Sequence, residues 1–528
     1  MHEIVTLQFG SQANYIGTHF WNTQESYFTY GKYEEESPVD HDICFRQGRG
    51  ADGSDTYTPR TIIYDFKRNF GTLRRLNELY DVVEANGGDY AAQSLWQYAD
   101  CILPHLRRNG TPSQHHNPPI AASEYQQALS AGLTPPRLTA DRVRYWSDYN
   151  RVFMNPKSVV QIYETELNPG QTAFEDWTAG EELFQSLDRE EDLFDRDVRT
   201  FVEECDQLQG LQILTSADDA WAGFSARYID RLRDELGKLP VWVWASCRGM
   251  QGISAAAASR RAVNKAKSLV EVAQQASLYV PMHAVPSRLP TWAWLEPESA
   301  WSTAALQVAA LETATLPTRL RTAAGGVGQS GTMDAMTTEL DLHGEQRIAE
   351  LGYQARESES SGAHVNGVTT DERLRAGQQD NSDTAADRAA TCDLFPYEDD
   401  LSAQVFAQVE CTRGKVFNDV EAGNTTGART AQGVGRRVSR YSASLQFPML
   451  DSYPAVFKFG SHDNSISAGK VAMRSNLQAS GRVAGWAHAL SAQARRHIEP
   501  EERETIGNAL SEISEAYGKG GDSDEDWD

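Results

Sequence analysis

A chain of 528 residues with 40% hydrophobic content can bury large cores, and its length suggests two or three domains. Its formal charge of -25 argues against a direct grip on DNA or RNA, which depends on Lys and Arg displacing counterions, so any link to nucleic acid is expected to be indirect. No apolar run approaches the roughly 18 to 20 residues of a membrane-spanning helix, and Leu239 to Ala245 has only strand length.

The first basic residue is Lys32 and Glu3 comes early, a pattern unlike a transit peptide or a secretory leader, so the expectation is a cytosolic start. The cysteines, Cys44, Cys101, Cys205, Cys247, Cys392 and Cys411, are dispersed without a Cys-x-x-Cys, which suits reduced core thiols and predicts no metal site. Acidic residues gather at Tyr33 to Glu36, Leu187 to Asp197 and Asp522 to Asp528, where a solvated face or tail is the ordinary explanation.

From Met1 to about Pro290, apolar runs of strand length alternate with helical patterns, the rhythm of a parallel sheet covered on both faces. Ile4, Leu7 and Phe9 read as a buried strand, Gly10 as a sharp turn, and the helix beyond, entered at Asn14, presents unpaired N–H groups to an anion. Further strands are expected at Thr61 to Asp65, Gly210 to Thr215 and Val241 to Ser246. Helices are expected at Asn14 to Gln24, Trp221 to Leu236 and Ser254 to Ala276.

After Pro290 the pattern loosens. Glu357 to Asp387 holds too few large apolar residues to order itself, and a disordered insertion is expected over about 322–390. Order is predicted to return with Asp393 to Val416 and Leu445 to Phe459. Helical patterns follow over Ala468 to Arg496 and Glu501 to Tyr517, ahead of the acidic tail.

Four stretches resemble tubulin. In the first, Glu3 to Val5, Gly10, Asn14, Ile16, Gly17, Phe20 and Trp21 fall in register with the strand, glycine turn and helix that open the tubulin chain. In the second, Pro59 to Gly71, the strand-end Asp65 keeps its place, while Lys67 stands where the family has a glutamate near magnesium and the terminal phosphates. The third, Leu208 to Phe224, lines up with the run that ends in the signature Gly-Gly-Gly-Thr-Gly-Ser-Gly, but here the signature reads Asp218, Asp219, Ala220, Trp221, Ala222, Gly223 and Phe224. Glycines let bare N–H groups wrap phosphate oxygens, whereas carboxylates would cap the helix and repel a triphosphate, and Trp221 and Phe224 would crowd the space. In the fourth, Val270 to Pro281, the resemblance puts Gln274 in the place of the acid that one subunit projects into its neighbour's nucleotide, with Glu271 an acid one turn earlier. A neutral amide cannot act as a general base.

With these departures, Val143 to Ser158, Leu445 to Pro448 and Tyr453-Pro454 resemble the Misato family, tubulin-like proteins of mitochondrial distribution and inheritance. The resemblance implies an α/β protein: a tubulin-like doubly wound parallel sheet over 1–290, a second α+β domain over 291–500, and a C-terminal helix and tail over 501–528. It implies a non-catalytic factor at the outer mitochondrial surface and in the cytoplasm, peripheral to the membrane. Partners would be mitochondrial-surface or cytoskeletal proteins, tubulin or a chaperonin. Gly10, Ser11, Gln12, Asn14 and Asp65 would be a vestigial nucleotide site, with Asp218 and Asp219 in place of the phosphate loop and GTP at most a residual structural ligand. The rivals are a divergent GTPase that binds through Gly10, Asn14 and Asp65 and hydrolyses on self-assembly, and a spindle or tubulin-folding accessory.

Weaker signals have plain explanations. Gly326 to Gly331 fits G-x-G-x-x-G but follows no strand, and Cys101, His105, His115 and His116 have irregular spacing for zinc. Arg436, Arg437, Arg440 and Tyr441 read either as a contact with anionic lipid or as a solvated turn before a strand. Trp292, Trp294 and Trp301 read as core.

Overall fold

A computed structural model describes residues 2–29, 36–49, 55–73, 120–163, 174–249, 252–321, 330–342, 344–357, 390–399, 403–414, 437–459 and 470–518. The zinc-like set at 101–116, most of the glycine motif at 326–331, the stretch 358–387, Arg436 and the acidic tail lie outside these residues.

Apolar strands β1 (Glu3–Phe9), β4 (Thr61–Phe66), β5 (Val159–Ile162), β6 (Leu208–Ser216), β7 (Val241–Cys247) and β8 (Leu278–His283) form one parallel sheet in the order β5-β4-β1-β6-β7-β8. A hairpin of β2 (Phe45–Arg49) and β3 (Asp55–Pro59) precedes β4. The sheet is buried on both faces, which is why its strands are apolar without simple alternation. One face, with Ile4 and Trp244, receives helix α1 (Ser11–Glu25), and Gly17 is needed there because a Cβ would stand 1.8 Å from Oε1 of Gln8. The other, with Val5, Leu7 and Phe9, packs on α2 (Trp177–Glu190), α3 (Ala220–Leu236) and α4 (Ala255–Lys267). Helices on both faces make the sheet doubly wound, as expected.

Helix α5 (Ala300–Thr315) is buried from Trp301 to its end, and its apolar residues surround it rather than forming a stripe. It lies between the parallel sheet and a second sheet, so Trp242 and Trp244 share a core with Leu351, Val409 and Leu477. The second sheet comprises β9 (Glu350–Glu357), β10 (Cys392–Asp393), β11 (Val405–Arg413), β12 (Arg437–Ala443), β13 (Phe447–Pro448) and β14 (Lys470–Ser480). Its order is β10-β9-β14-β11-β12, antiparallel except for β11 and β12, with β13 beside β14. A buried clasp ties the layers: Glu312 of α5 accepts from Arg413, from Arg319 at 3.3 Å and from the Tyr27 hydroxyl at 3.0 Å. Helices α7 (Arg482–Ala494) and α8 (Pro500–Gly518) return to the parallel sheet's side, where Trp486, Leu490, Ile506 and Leu510 join its core.

Several expectations are corrected. The first helix begins at Ser11 rather than Asn14, because Gly10 alone makes the turn. Residues Lys470–Ser480 are a central strand, not a helix, since β9 and β11 offer ladders on both sides that outweigh helix-forming Ala, Met, Leu and Gln. Within 322–390, helix α6 (Met333–Leu340) and β9 are ordered parts of the fold. The helix expected over Ser254 to Ala276 is broken by a π-turn at Ser268–Val272. In the acidic run, Asp197 is not a solvated residue: it is buried and accepts the Tyr64 hydroxyl. Arg437, Arg440 and Tyr441 lie in β12 rather than in a turn, and the Tyr441 hydroxyl donates to Glu339 at 3.0 Å.

Candidate functional site

Parallel α/β sheets place binding groups at the carboxyl ends of their strands, where chains turn into helix N-termini. Here β1, β4, β6 and β7 end side by side and bring Gly10, Asp65, Asp218 and Arg248 together.

At the end of β1, Gly10 adopts φ 87°, a left-handed conformation that suits glycine, and its N–H donates to the Tyr64 carbonyl at 3.0 Å. Helix α1 then starts without a side-chain cap. Gln12 reaches instead to Thr303 and Gln307 of α5, at 3.4 and 3.3 Å, while Ser11 is half-buried at the helix start. Asn14 donates to an Asp65 carboxylate oxygen at 3.0 Å. Asp65 is fully buried and its other oxygen takes the Phe66 N–H at 2.9 Å and the Asn69 amide at 2.7 Å. Burial raises its pKa to about 6 against the pull of those hydrogen bonds. Lys67, in the place of the family's glutamate, is exposed and lies over the Tyr163 ring, 5.0 Å from its centre.

At the end of β6 the chain takes another course. Asp219 is the N-cap of α3, its carboxylate accepting the Trp221 N–H at 3.0 Å, so one orphan helix donor is satisfied from within. Burial raises Asp219 to about 6, although Arg248 beside it favours the charged form. Asp218 is buried and makes different bonds: it accepts from the Arg248 backbone N–H at 2.7 Å and Nε at 3.2 Å, with Lys265 Nζ at 3.9 Å. The guanidinium of Arg248 also reaches Asp219 at 3.3 Å. Two carboxylates and two cations therefore cancel one another where a phosphate loop would face an anion.

The Trp221 indole lies against Gly10: a Cβ added to that glycine would stand 2.4 Å from indole Cδ1 and 2.5 Å from Nε1. Phe66, Phe174 and Phe224 surround it with ring centres at 5.6, 5.0 and 5.5 Å. Phe224 itself does not crowd the turn, contrary to expectation; it packs toward the sheet against Phe9 and Tyr64. Gly223, the glycine that survives from the signature, serves helix packing, since a Cβ there would meet the Trp177 carbonyl at 2.2 Å. Gly180 is its counterpart on α2, blocked by the Ala220 carbonyl at 1.7 Å.

Gln274 is exposed near the amino end of β8, at the opposite end of the sheet from Gly10, and its carbonyl accepts from Arg347 at 2.6 Å. Sequence reasoning missed Arg248 and Lys265. Arg248 had one legible signal, a basic residue directly after an apolar parallel strand; Lys265 is buried in α4 and had none.

The fold, with a strand-glycine-helix opening and a side-chain-filled second turn, defines a tubulin-like α/β protein. Residues 2–131 match the model of the Misato Segment II tubulin-like domain and residues 135–320 that of the Tubulin domain. Among similar proteins, Protein dml1 of Aspergillus niger is 43% identical over 543 residues, covering 100% of both chains. Protein dml-1 of Neurospora crassa is 39% identical, covering 100% of this chain and 99% of its own. Protein dml1 of Schizosaccharomyces pombe is 31% identical over 61% of this chain and 66% of its own. The chain belongs to the Misato family of tubulin-like proteins, that of the DML1 proteins.

Proposed function

We propose that the protein is a non-catalytic tubulin-fold factor in mitochondrial distribution and mitochondrial DNA inheritance, acting through protein partners on the outer mitochondrial surface and in the cytoplasm. The mitochondrial part rests on the family resemblance. The absence of catalysis rests on one observation, the Trp221 indole seated on Gly10 beside a helix already capped by Asp219. A triphosphate drawn to that turn would meet an aromatic ring and two carboxylates instead of bare N–H groups.

No helix among the described residues is long and apolar enough to cross a membrane. Purified protein incubated with GTP and magnesium is expected to release no phosphate above background at any protein concentration. Release that grows with concentration and disappears in Asp65→Ala would replace this reading with a self-assembling GTPase. Carbonate extraction of isolated mitochondria should free the protein; resistance to carbonate together with protection from protease would rule out peripheral attachment. Cofractionation with tubulin or a chaperonin, without mitochondria, would favour the tubulin-folding accessory.

The uncapped start of α1, with Asn14 still on Asp65, is the observation that favours a residual nucleotide as a structural ligand. Denaturing the purified protein and assaying the supernatant for guanine nucleotide decides it, and we expect none in stoichiometric amount.

A further inference from the structure

Away from the cradle, Arg227 of α3 stands at a junction of three elements. Its Nε meets Glu181 of α2 at 2.9 Å, one terminal nitrogen meets Asp230 of its own helix at 2.5 Å, and the other meets Glu271 in the π-turn Ser268–Val272. Three carboxylates share one guanidinium, and each of the four side chains keeps only 22 to 34% of its surface in water. Like charges so gathered disfavour full ionisation, and partial burial adds to the effect.

Glu271 is placed to take the proton. In the π-turn the Ala273 N–H bonds the Ser268 carbonyl, five residues back, and the Ser268 hydroxyl is tied to that of Tyr279 at 2.9 Å. The charged groups acting on Glu271 are Arg227, Glu181 and Asp230, with Lys267 one residue before the turn. Lys267 is itself engaged by Glu502 of α8 at 2.6 Å. Burial, together with Glu181 and Asp230, raises Glu271 to about 7 against Arg227 and Lys267. Directly after the turn, the Gln274 carbonyl accepts from Arg347 at 2.6 Å and the Gln275 carbonyl from Arg233 at 2.7 Å.

We propose that Glu271 is a proton-controlled latch: protonated, it closes the Arg227 junction and seats the π-turn, and ionised, it loosens the turn and the chain to Gln275. The sign follows from the direction of the shift. A carboxyl that binds its proton more tightly in the closed form contributes stability present at low pH and lost as pH rises through about 7. Arg227 lies midway along α3 and Glu181 faces Gly223 of the same helix, so the junction sits in the helical layer beside the sheet, and its closing uses none of the hydrogen bonds that fill the cradle.

Hydrogen exchange by mass spectrometry on the full chain tests the proposal, with rates corrected for the intrinsic effect of pH. Peptides covering 265–278 in the wild type should lose about tenfold protection from pH 6 to pH 8, while peptides in β6 and β7 stay unchanged. Glu271→Gln should stay protected at both values, and Glu181→Gln, which removes one repelling charge, should move the transition to lower pH. Protection in the wild type that does not change with pH overturns the latch. So does an unchanged transition in Glu181→Gln, a readout available even if Glu271→Gln fails to fold.

Discussion

The turns after β1 and β6 are neighbours built on one plan, a parallel strand delivering the chain to a helix N-terminus, yet they solve the same electrostatic problem differently. Helix α1 opens at a glycine with no side-chain cap, and α3 opens with Asp219 on its free N–H and Trp221 directed across to the first turn. Strand and helix are kept by apolar positions that face the core, so they survive whatever the turn becomes. The ligand site depends on the few turn residues that must stay small and uncharged, and in α3 these have become Asp, Asp and Trp. A fold and its binding site can therefore part company within seven residues.

The comparison breaks most visibly at Gly10. Gly10→Ala must hold a side chain at positive φ and push it into the indole, costing about 3 kcal/mol from backbone strain and overpacking together. Chemical denaturation measures it. Combining the change with Trp221→Ala should return the overpacking share, leaving a coupling of about 1 kcal/mol in a double-mutant cycle. Strict additivity would mean that the ring does not rest on the turn.

A smaller effect separates the two helix starts. Asp219→Ala removes a cap and should lower stability by about 0.5 to 2 kcal/mol, whereas Ser11→Ala, at a terminus with no side-chain cap, should change it by less than about 0.5 kcal/mol. Thermal melts of both variants decide whether only one N-terminus is internally satisfied; equal losses would erase the distinction.

The smallest effect is the pH dependence of the cap. Asp219 titrates near 6 in the fold against an ordinary 3.8, so the protonated form is favoured by folding and that contribution is lost as pH rises through about 6. The stability of the wild type relative to Asp219→Asn, which does not titrate, should therefore fall by about 1 kcal/mol between pH 5.5 and pH 7. Asp65, also near 6, is common to both proteins and drops out of the difference.

Much of this was legible from residues alone. The opening strand, Gly10, the β6 run and the helix after it read correctly because apolar periodicity and a single turn residue specify them. Which of two adjacent aspartates caps α3 did not read, because the choice rests on Arg248 and Lys265 arriving from β7 and α4 to claim Asp218. The β14 segment read as a helix because its β9 and β11 ladder partners lie some 60 to 128 residues away, beyond any local window. Phe224 read as a blocker of the phosphate space because sequence shows the size of a side chain but not the side of the helix it occupies.

The claim that the protein's own side chains fill the phosphate cradle is tested most directly by the thermal midpoint of the unaltered chain with and without GTP and magnesium at about 1 mM. A ligand present at 100 times its Kd would add roughly 2.7 kcal/mol and raise the midpoint by several degrees. No shift is expected, and a midpoint that rises with GTP concentration would mean that the cradle still admits a nucleotide.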